Sequence, residues 1–464
     1  VKKTLILTLF AISVVLLFGF LTGLLADDDK IESLKKEVEK LRGLKFKKDV
    51  PVKNMKKKEF REFLIKLMHE DGITKEKARD IARIGVKFGF YPESFDLYNA
   101  TLNLISGAVQ GFYDFKSKQI FMISDAELPA NLPKAMAQVE IDSTILHELN
   151  HALDDQLFNI ADYLRKDPDD RKADRAMAVM AILEGSALDA QLTWVLGQPS
   201  HLIPGLGKMI CDGQKKRPAI SAVPEAMQIE LLWRYEGGID FVHRLLKKGG
   251  QKELEKALKD PPVSTEQVLH IDEKYYKEDE PIEIKIDEKK LGELLPEWEF
   301  VQKDNLGELF TDFFLKQYVD EKKATEASEG WDGDLYAAFK EKGEKKKGMI
   351  LIWLTVWDSE KDRNEFFNAY KQAVMQKCEI KSEAEGDSVT LKNDKGIFHV
   401  ERKGHYVLCI DGFPDKLLDT IKKQVWSNVK EKSEDKGEKE SDKKEENEKK
   451  DEGEKEDEGG EDEK

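Results

Sequence analysis

Between Val139 and Phe158 the apolar residues Ile141, Ile145, Leu149, Ala152, Leu153 and Leu157 recur at the three-and-four spacing of a helix face. The same stretch carries His147-Glu148-Leu149-Asn150-His151. On a helix, two histidines at i and i+4 project from one side and can share a tetrahedral Zn2+ ion, with Glu148 between them placed to take a proton from water. The plainer reading is two histidines on a polar helix face. A catalytic zinc site needs three protein ligands and an open position, so a further ligand has to come from elsewhere in the chain.

The strongest source of that ligand is a second helical stretch, Ala176 to Leu196. Glu184 lies in it, 33 positions beyond His151 and directly after Met180-Ala181-Ile182-Leu183. A glutamate in so apolar a setting is rarely buried without a partner. Gly185 beside it would let this helix come close to the first. Asp189 is the rival ligand, with Asp154 and Asp155 behind it. Asp155 falls one turn past His151 on the same face and could brace a ligand imidazole or simply decorate the polar face. Hydrolysis also needs a donor for the developing oxyanion, and Tyr235 and His270 are the candidates, His243 the third.

Several segments taken in order resemble a group of bacterial gluzincin-like metallopeptidases. They are Gly111-Phe112-Tyr113-Asp114, the run from His147 to Gln156, Leu183-Glu184-Gly185-Ser186-Ala187, the run from Pro261 to His270, and Gly330-Trp331-Asp332-Gly333-Asp334. The resemblance spans roughly Lys57 to Val425. It implies a zincin-like core, a small sheet over an active-site helix, with His147, His151 and Glu184 as ligands and Glu148 as general base. It implies further that the strand from Gln119 to Ile123 is the edge that pairs with an extended peptide, and it favours His270 as a catalytic group. The chain departs from the pattern at Leu188, where thermolysin-like enzymes have an acidic residue, with Asp189 next. It departs again at Ser186, where an acidic residue is common.

Charge is uneven along the chain. The formal net charge is −16, but Glu431 to Lys464 holds 18 acidic and 9 basic residues, which leaves −7 for the rest. The acidity therefore says little about the substrate, and no basic stripe with interleaved aromatics points to nucleic acid. Lys2 and Lys3 precede an apolar run from Leu5 to Ala26, which reads as a signal peptide or an uncleaved signal anchor, with membrane anchoring through residues 4–26 and an extracytoplasmic location for the rest. Three cysteines, Cys211, Cys378 and Cys409, are too few for a disulfide framework.

The expected class is α+β. After the leader, residues 27–56 read as a helical stalk or linker, with Ile31, Leu34, Val38 and Leu41 as a narrow stripe. Residues 57–278 would form the metallopeptidase domain and 279–426 a smaller α+β domain, followed by a charged disordered tail over 427–464. Within these, Gly111–Asp114 and Gln119–Ile123 read as a hairpin, Val223–Arg234 and Ile239–Lys247 as separate helices, and Ile282–Ile286 as a strand. The expected function is zinc-dependent hydrolysis of polypeptides. The competing expectation is a non-catalytic extracytoplasmic binding protein on the same scaffold.

Overall fold

The computed structural model describes residues 28–125, 134–160, 163, 173–343, 348–380, 385–393 and 396–429. The leader at 1–26 and nearly all of the charged tail lie outside them. The chain is α+β, with two sheets and three clusters of buried apolar side chains among the described residues.

The first sheet has three strands in the order β1 (Val52–Met55), β3 (Gln119–Ile123), β2 (Gly111–Asp114). The expected hairpin is present: β2 and β3 pair antiparallel, and the Asp114 carboxylate accepts from the amides of Lys116 and Ser117 in the turn, both at 3.1 Å. However, β3 is not an edge. It pairs parallel with β1 on its other side, so the edges are β1 and β2. The missing strand comes from the segment read as a stalk, which corrects that reading too. Helix α1 (Asp28–Arg42) buries Leu34, Val38 and Arg42 in the first core instead of standing clear of it.

Around this sheet lie α2 (Lys57–Glu70), α3 (Lys75–Phe88), α4 (Leu97–Ala108), α5 (Lys134–Phe158), α6 (Ala173–Leu196), α7 (Leu206–Gln214), α8 (Glu225–Gly249), α9 (Gln251–Lys259) and α10 (Thr265–Leu269). The two helices expected on either side of Gly237-Gly238 are one continuous helix, α8. Those glycines permit contact where the sequence suggested a break. A Cβ on Gly238 would stand 2.0 Å from the carbonyl oxygen of Ala181, and one on Gly185 would stand 2.2 Å from that of Gly238. Gly185 therefore brings α6 against α8, not against the histidine-bearing helix as the sequence suggested.

The second sheet is antiparallel, in the order β4 (Trp298–Asp304), β5 (Trp331–Glu341), β6 (Met349–Trp357), β9 (Tyr406–Asp411), β8 (Gly396–Lys403), β7 (Ser388–Asn393). Side chains alternate across it, as the two-residue strand period requires. Leu351 and Trp353 join the core beneath α12 (Gly307–Lys316), α13 (Glu321–Ser328) and α14 (Glu360–Cys378). Ile350, Ile352 and Leu354 pack on the opposite face with α11 (Glu288–Leu294) and α15 (Leu418–Trp426). The expected strand at Ile282–Ile286 is absent; that stretch is irregular, and the Ile282 amide bonds to the carbonyl of Asp332 at 2.6 Å. The Gly330–Asp334 motif is a structural knot. The Asp334 carboxylate accepts from the indoles of Trp331 and Trp353 and from the amides of Leu306 and Gly307, at 2.8–3.1 Å.

The two units meet along α3, whose Ala78 and Ala82 belong to the first core while Ile84 and Phe88 belong to the second. A boundary at residue 278 therefore does not separate two independent cores.

Candidate metal centre

Successive residues of α5 advance about 100° around its axis, which sorts its polar residues into a single arc. His147 and His151 lie in the middle, Asn150 and Asp154 on one flank, Asp155 and Glu148 on the other. All residues from Ile141 to Asp155 are buried, so this arc meets protein rather than solvent. Each part of the arc has a distinct counterpart.

In the middle, α6 delivers Glu184. Its Oε2 lies 3.3 Å from Nε2 of His147 and 3.5 Å from Nε2 of His151. The ligand atoms of the three residues all fall within 4.8 Å of one another, and the group could hold a metal ion. Burial holds the His147 imidazole below its usual range, hence neutral and able to ligate. Burial works against ionising Glu184, but the two imidazoles prevail and keep its carboxylate well below the usual range. Nδ1 of His147 lies 2.9 Å from Oε1 of Gln191; an acceptor there keeps the proton on Nδ1 and leaves Nε2 to face Glu184. Gln191 is a positioning residue missed in the sequence. Its signal was the seven-residue offset from Glu184, two turns on along one face of α6.

On one flank, a buried polar network closes the back of the site. Nη1 of Arg42 donates to Asn150 at 2.6 Å, Asp154 at 2.8 Å and Ser186 at 2.9 Å, and Ser186 in turn donates to Asp154 at 2.8 Å. The departure at Ser186 thus has a physical role: a hydroxyl there accepts from Arg42 and Asn150 and donates to Asp154, which a carboxylate could only repel.

On the other flank, both carboxylate oxygens of Glu148 are buried without a hydrogen-bond partner of normal geometry among the described residues. Burial, then the charge of Glu184, push this carboxyl well above its usual range, and the nearby amide of Tyr113 counteracts them. Strand geometry explains that amide. The Ile123 amide bonds to the carbonyl of Gln110, so along this antiparallel pair Gly111 and Tyr113 direct their main-chain groups away from β3, toward α5. Asp155 accepts from the Tyr113 hydroxyl at 2.9 Å and from Lys118, which ties the helix to the hairpin.

The remaining candidates divide. Tyr235, on α8, is buried close to Glu184, and burial, followed by the charge of Glu184, pushes its phenol well above its usual range. It lines a small cavity of about 10 Å³ together with His147, Gln191 and Cys211, whose thiol burial pushes up to about 12. Asp189 accepts from Ser200 and stands 3.4 Å from His243, bracing the segment after α6 instead of meeting the metal ligands. Nε2 of His270 pairs with Glu308 at 2.8 Å in a groove shared with Glu225, Ile229 and Trp233. Those three residues, four apart on α8, occupy the side of that helix opposite Leu231, Tyr235 and Gly238, so His270 and the metal ligands are on different sides of α8.

Overpacking at the α6–α8 contact offers a direct check on this arrangement. Gly185→Ala is expected to destabilise the protein by about 1–3 kcal/mol in denaturant melts and to weaken metal binding, because the added methyl forces apart the helices that carry Glu184 and Tyr235.

A family described as a domain of unknown function (DUF8575) matches residues 296–422. That span holds the six-stranded sheet and helices α12 to α14 and contains none of the metal-site residues. No curated protein matches the chain. A solved structure described as a "putative hydrolase with a novel fold", from Chloroflexus aurantiacus, is 15% identical. The match covers 53% of this chain and 89% of that one at a TM-score of 0.28, a likeness too low to bear on fold or chemistry.

Proposed function

We propose that the protein is a zinc-dependent metallopeptidase built on a zincin-like core, hydrolysing polypeptides outside the cytoplasm. The observation that carries this reading is the convergence of buried His147, His151 and Glu184 beside a buried carboxylate, Glu148, that is not one of the three ligands. Two neutral imidazoles and one carboxylate suit Zn2+ better than the all-oxygen sites of Mg2+ or Ca2+. Bound there, the ion would polarise the scissile carbonyl and make water more acidic.

The chain's own groups supply the rest. Glu148 takes a proton from the attacking water and returns it to the leaving amine, and burial gives it the affinity for a proton that this requires. Tyr235, kept protonated, donates toward the oxygen on which negative charge develops. β2, an edge of the first sheet, takes the part first given to β3 in pairing with an extended substrate. The location rests on the apolar run from Leu5 to Ala26.

Metal analysis combined with peptide-library digestion, with and without chelator, tests the reading. The purified chain is expected to hold about one zinc per molecule, the complement of a three-ligand site, and to lose cleavage on chelation. Glu184→Ala is expected to lower zinc content to near zero. Undiminished zinc in that variant would remove Glu184 from the ligand set, and a zinc-loaded chain that cleaves no peptide would favour the binding-protein reading.

A further inference from the structure

Among the described residues seven large apolar side chains are well exposed, and six of them fall in two stretches, 136–139 and 195–209. Met136 and Val139 are on the first turns of α5, Val195 and Leu196 on the last turn of α6, Leu202 in the turn Ser200–Leu202 and Met209 on α7. Exposed apolar residues scattered singly need no explanation, but a concentration of them does. The fold brings the two stretches to one end. Asn150 of α5 donates to Ser186 at 3.1 Å and His147 meets Gln191 at 2.9 Å, so α6 passes α5 in the opposite direction and its last turn lies toward the first turns of α5. Gln214 of α7 shares a small cavity with His147 and Gln191, which brings α7 there too. Leu202 and Met209 are each 63% exposed. The turn that presents Leu202 is fixed: the Ser200 amide bonds to the Thr193 hydroxyl at 3.0 Å, and the Ser200 hydroxyl donates to Asp189.

Two further observations say what covers this end. Helix α1 runs beside α5 in parallel, with Lys30 on Asp142 at 2.7 Å and Arg42 on Asp154 at 2.8 Å, twelve residues further along both helices. The described chain therefore begins, at Asp28, beside the first turns of α5, and just before it in the sequence stands the apolar run Leu5 to Ala26. Next to Met209, Lys208 is exposed on α7, and Lys215 and Lys216 are exposed just past its end. Apolar side chains rimmed by lysines suit a surface that lies on an anionic bilayer. We infer that this end of the folded protein seats on a bilayer containing anionic lipid, with the six exposed apolar side chains entering its surface. The inference rests on the membrane reading of the run Leu5 to Ala26 and adds to it a second contact, made by the fold itself. Val139 precedes His147 by eight residues, so the metal centre would stand about 12 Å from lipid along α5.

The full chain reconstituted into vesicles of phosphatidylcholine and phosphatidylglycerol tests this without any turnover being read. All three native cysteines are buried, so a single introduced cysteine can carry a fluorophore. Val139→Cys, Leu202→Cys and Met209→Cys report on the patch, and Leu294→Cys, exposed on α11, is the reference. With a nitroxide quencher on the lipid chains, each patch label is expected to lose about half or more of its emission and the reference little, because an interfacial apolar face sinks about 5–10 Å into the bilayer. Leu196→Asp/Leu202→Asp changes only exposed side chains. It is expected to leave the melting temperature and flotation with vesicles intact while relieving the quenching at Met209→Cys. Omitting phosphatidylglycerol is expected to weaken the quenching through the lysines, and equal quenching without it would strike anionic lipid from the inference. A chain that floats with the vesicles but is quenched no more at the patch than at Leu294 would overturn the inference and leave the anchor standing. Blue-shifted patch emission in that case would assign the patch to a second copy. A chain that does not float would overturn both.

Discussion

Replacing Glu148 with Gln is expected to leave zinc content unchanged while peptide hydrolysis falls by about 10²–10⁴-fold, the usual worth of a positioned general base. The geometry makes this a clean test. Glu148 is not among the three converging ligands, and a carboxamide keeps an oxygen that can accept from the Tyr113 amide. A carboxamide of the same shape fits the same space and removes a buried charge, so the melting temperature should hold or rise. The change also separates Glu148 from its neighbours: His147→Ala or Glu184→Ala should remove metal and activity together, whereas Glu148→Gln should remove activity alone. Cleavage at the parent rate in a zinc-loaded Glu148→Gln protein would exclude Glu148 as the base.

Arg42→Ala is expected to have the largest effect on stability, about 3–5 kcal/mol in equilibrium unfolding. Arg42 is 1% exposed, and its guanidinium holds Asn150, Asp154 and Ser186 from behind the two ligand-bearing helices. Without it, Asp154 becomes a buried carboxylate with no cation beside it, and most of the cost arises there. The double variant Arg42→Ala/Asp154→Ala should therefore cost clearly less than the sum of the single variants. Metal affinity should fall in Arg42→Ala as well, since the network sets how α5 and α6 face each other. Additive single effects would mean that the four groups do not act as a unit.

How much of this was legible in the sequence depends on the range of the interaction. The helix carrying His147 and His151, the hairpin of β2 and β3, and the alternating faces of β6 all follow from periodicities of a few residues. Glu184 was legible because a carboxylate inside an apolar helix needs a partner. Gly237-Gly238 misled for the opposite reason. Glycine reads as a break when only the local backbone is considered, yet here it permits two helices to touch. The misreading of residues 27–56 was of the same kind: a narrow apolar stripe in a charged setting suits a stalk, and only the buried partners of Leu34, Val38 and Arg42 show that it is core. His270 was drawn toward the metal by resemblance, and the turn of α8 puts it on the other side.

By itself, then, the sequence determined the α+β class, the helix with its paired imidazoles and central glutamate, and the carboxylate that joins them, because each is written in spacings that a local backbone imposes. Only the tertiary structure decided which strand is the sheet edge, that Gln191 orients His147, that Asp189 supports a different segment, and that Arg42 reaches Asp154 across 112 residues. Those contacts depend on how whole elements pack. Packing is selected by the sum of many weak contacts over the entire core, and no local spacing records that sum.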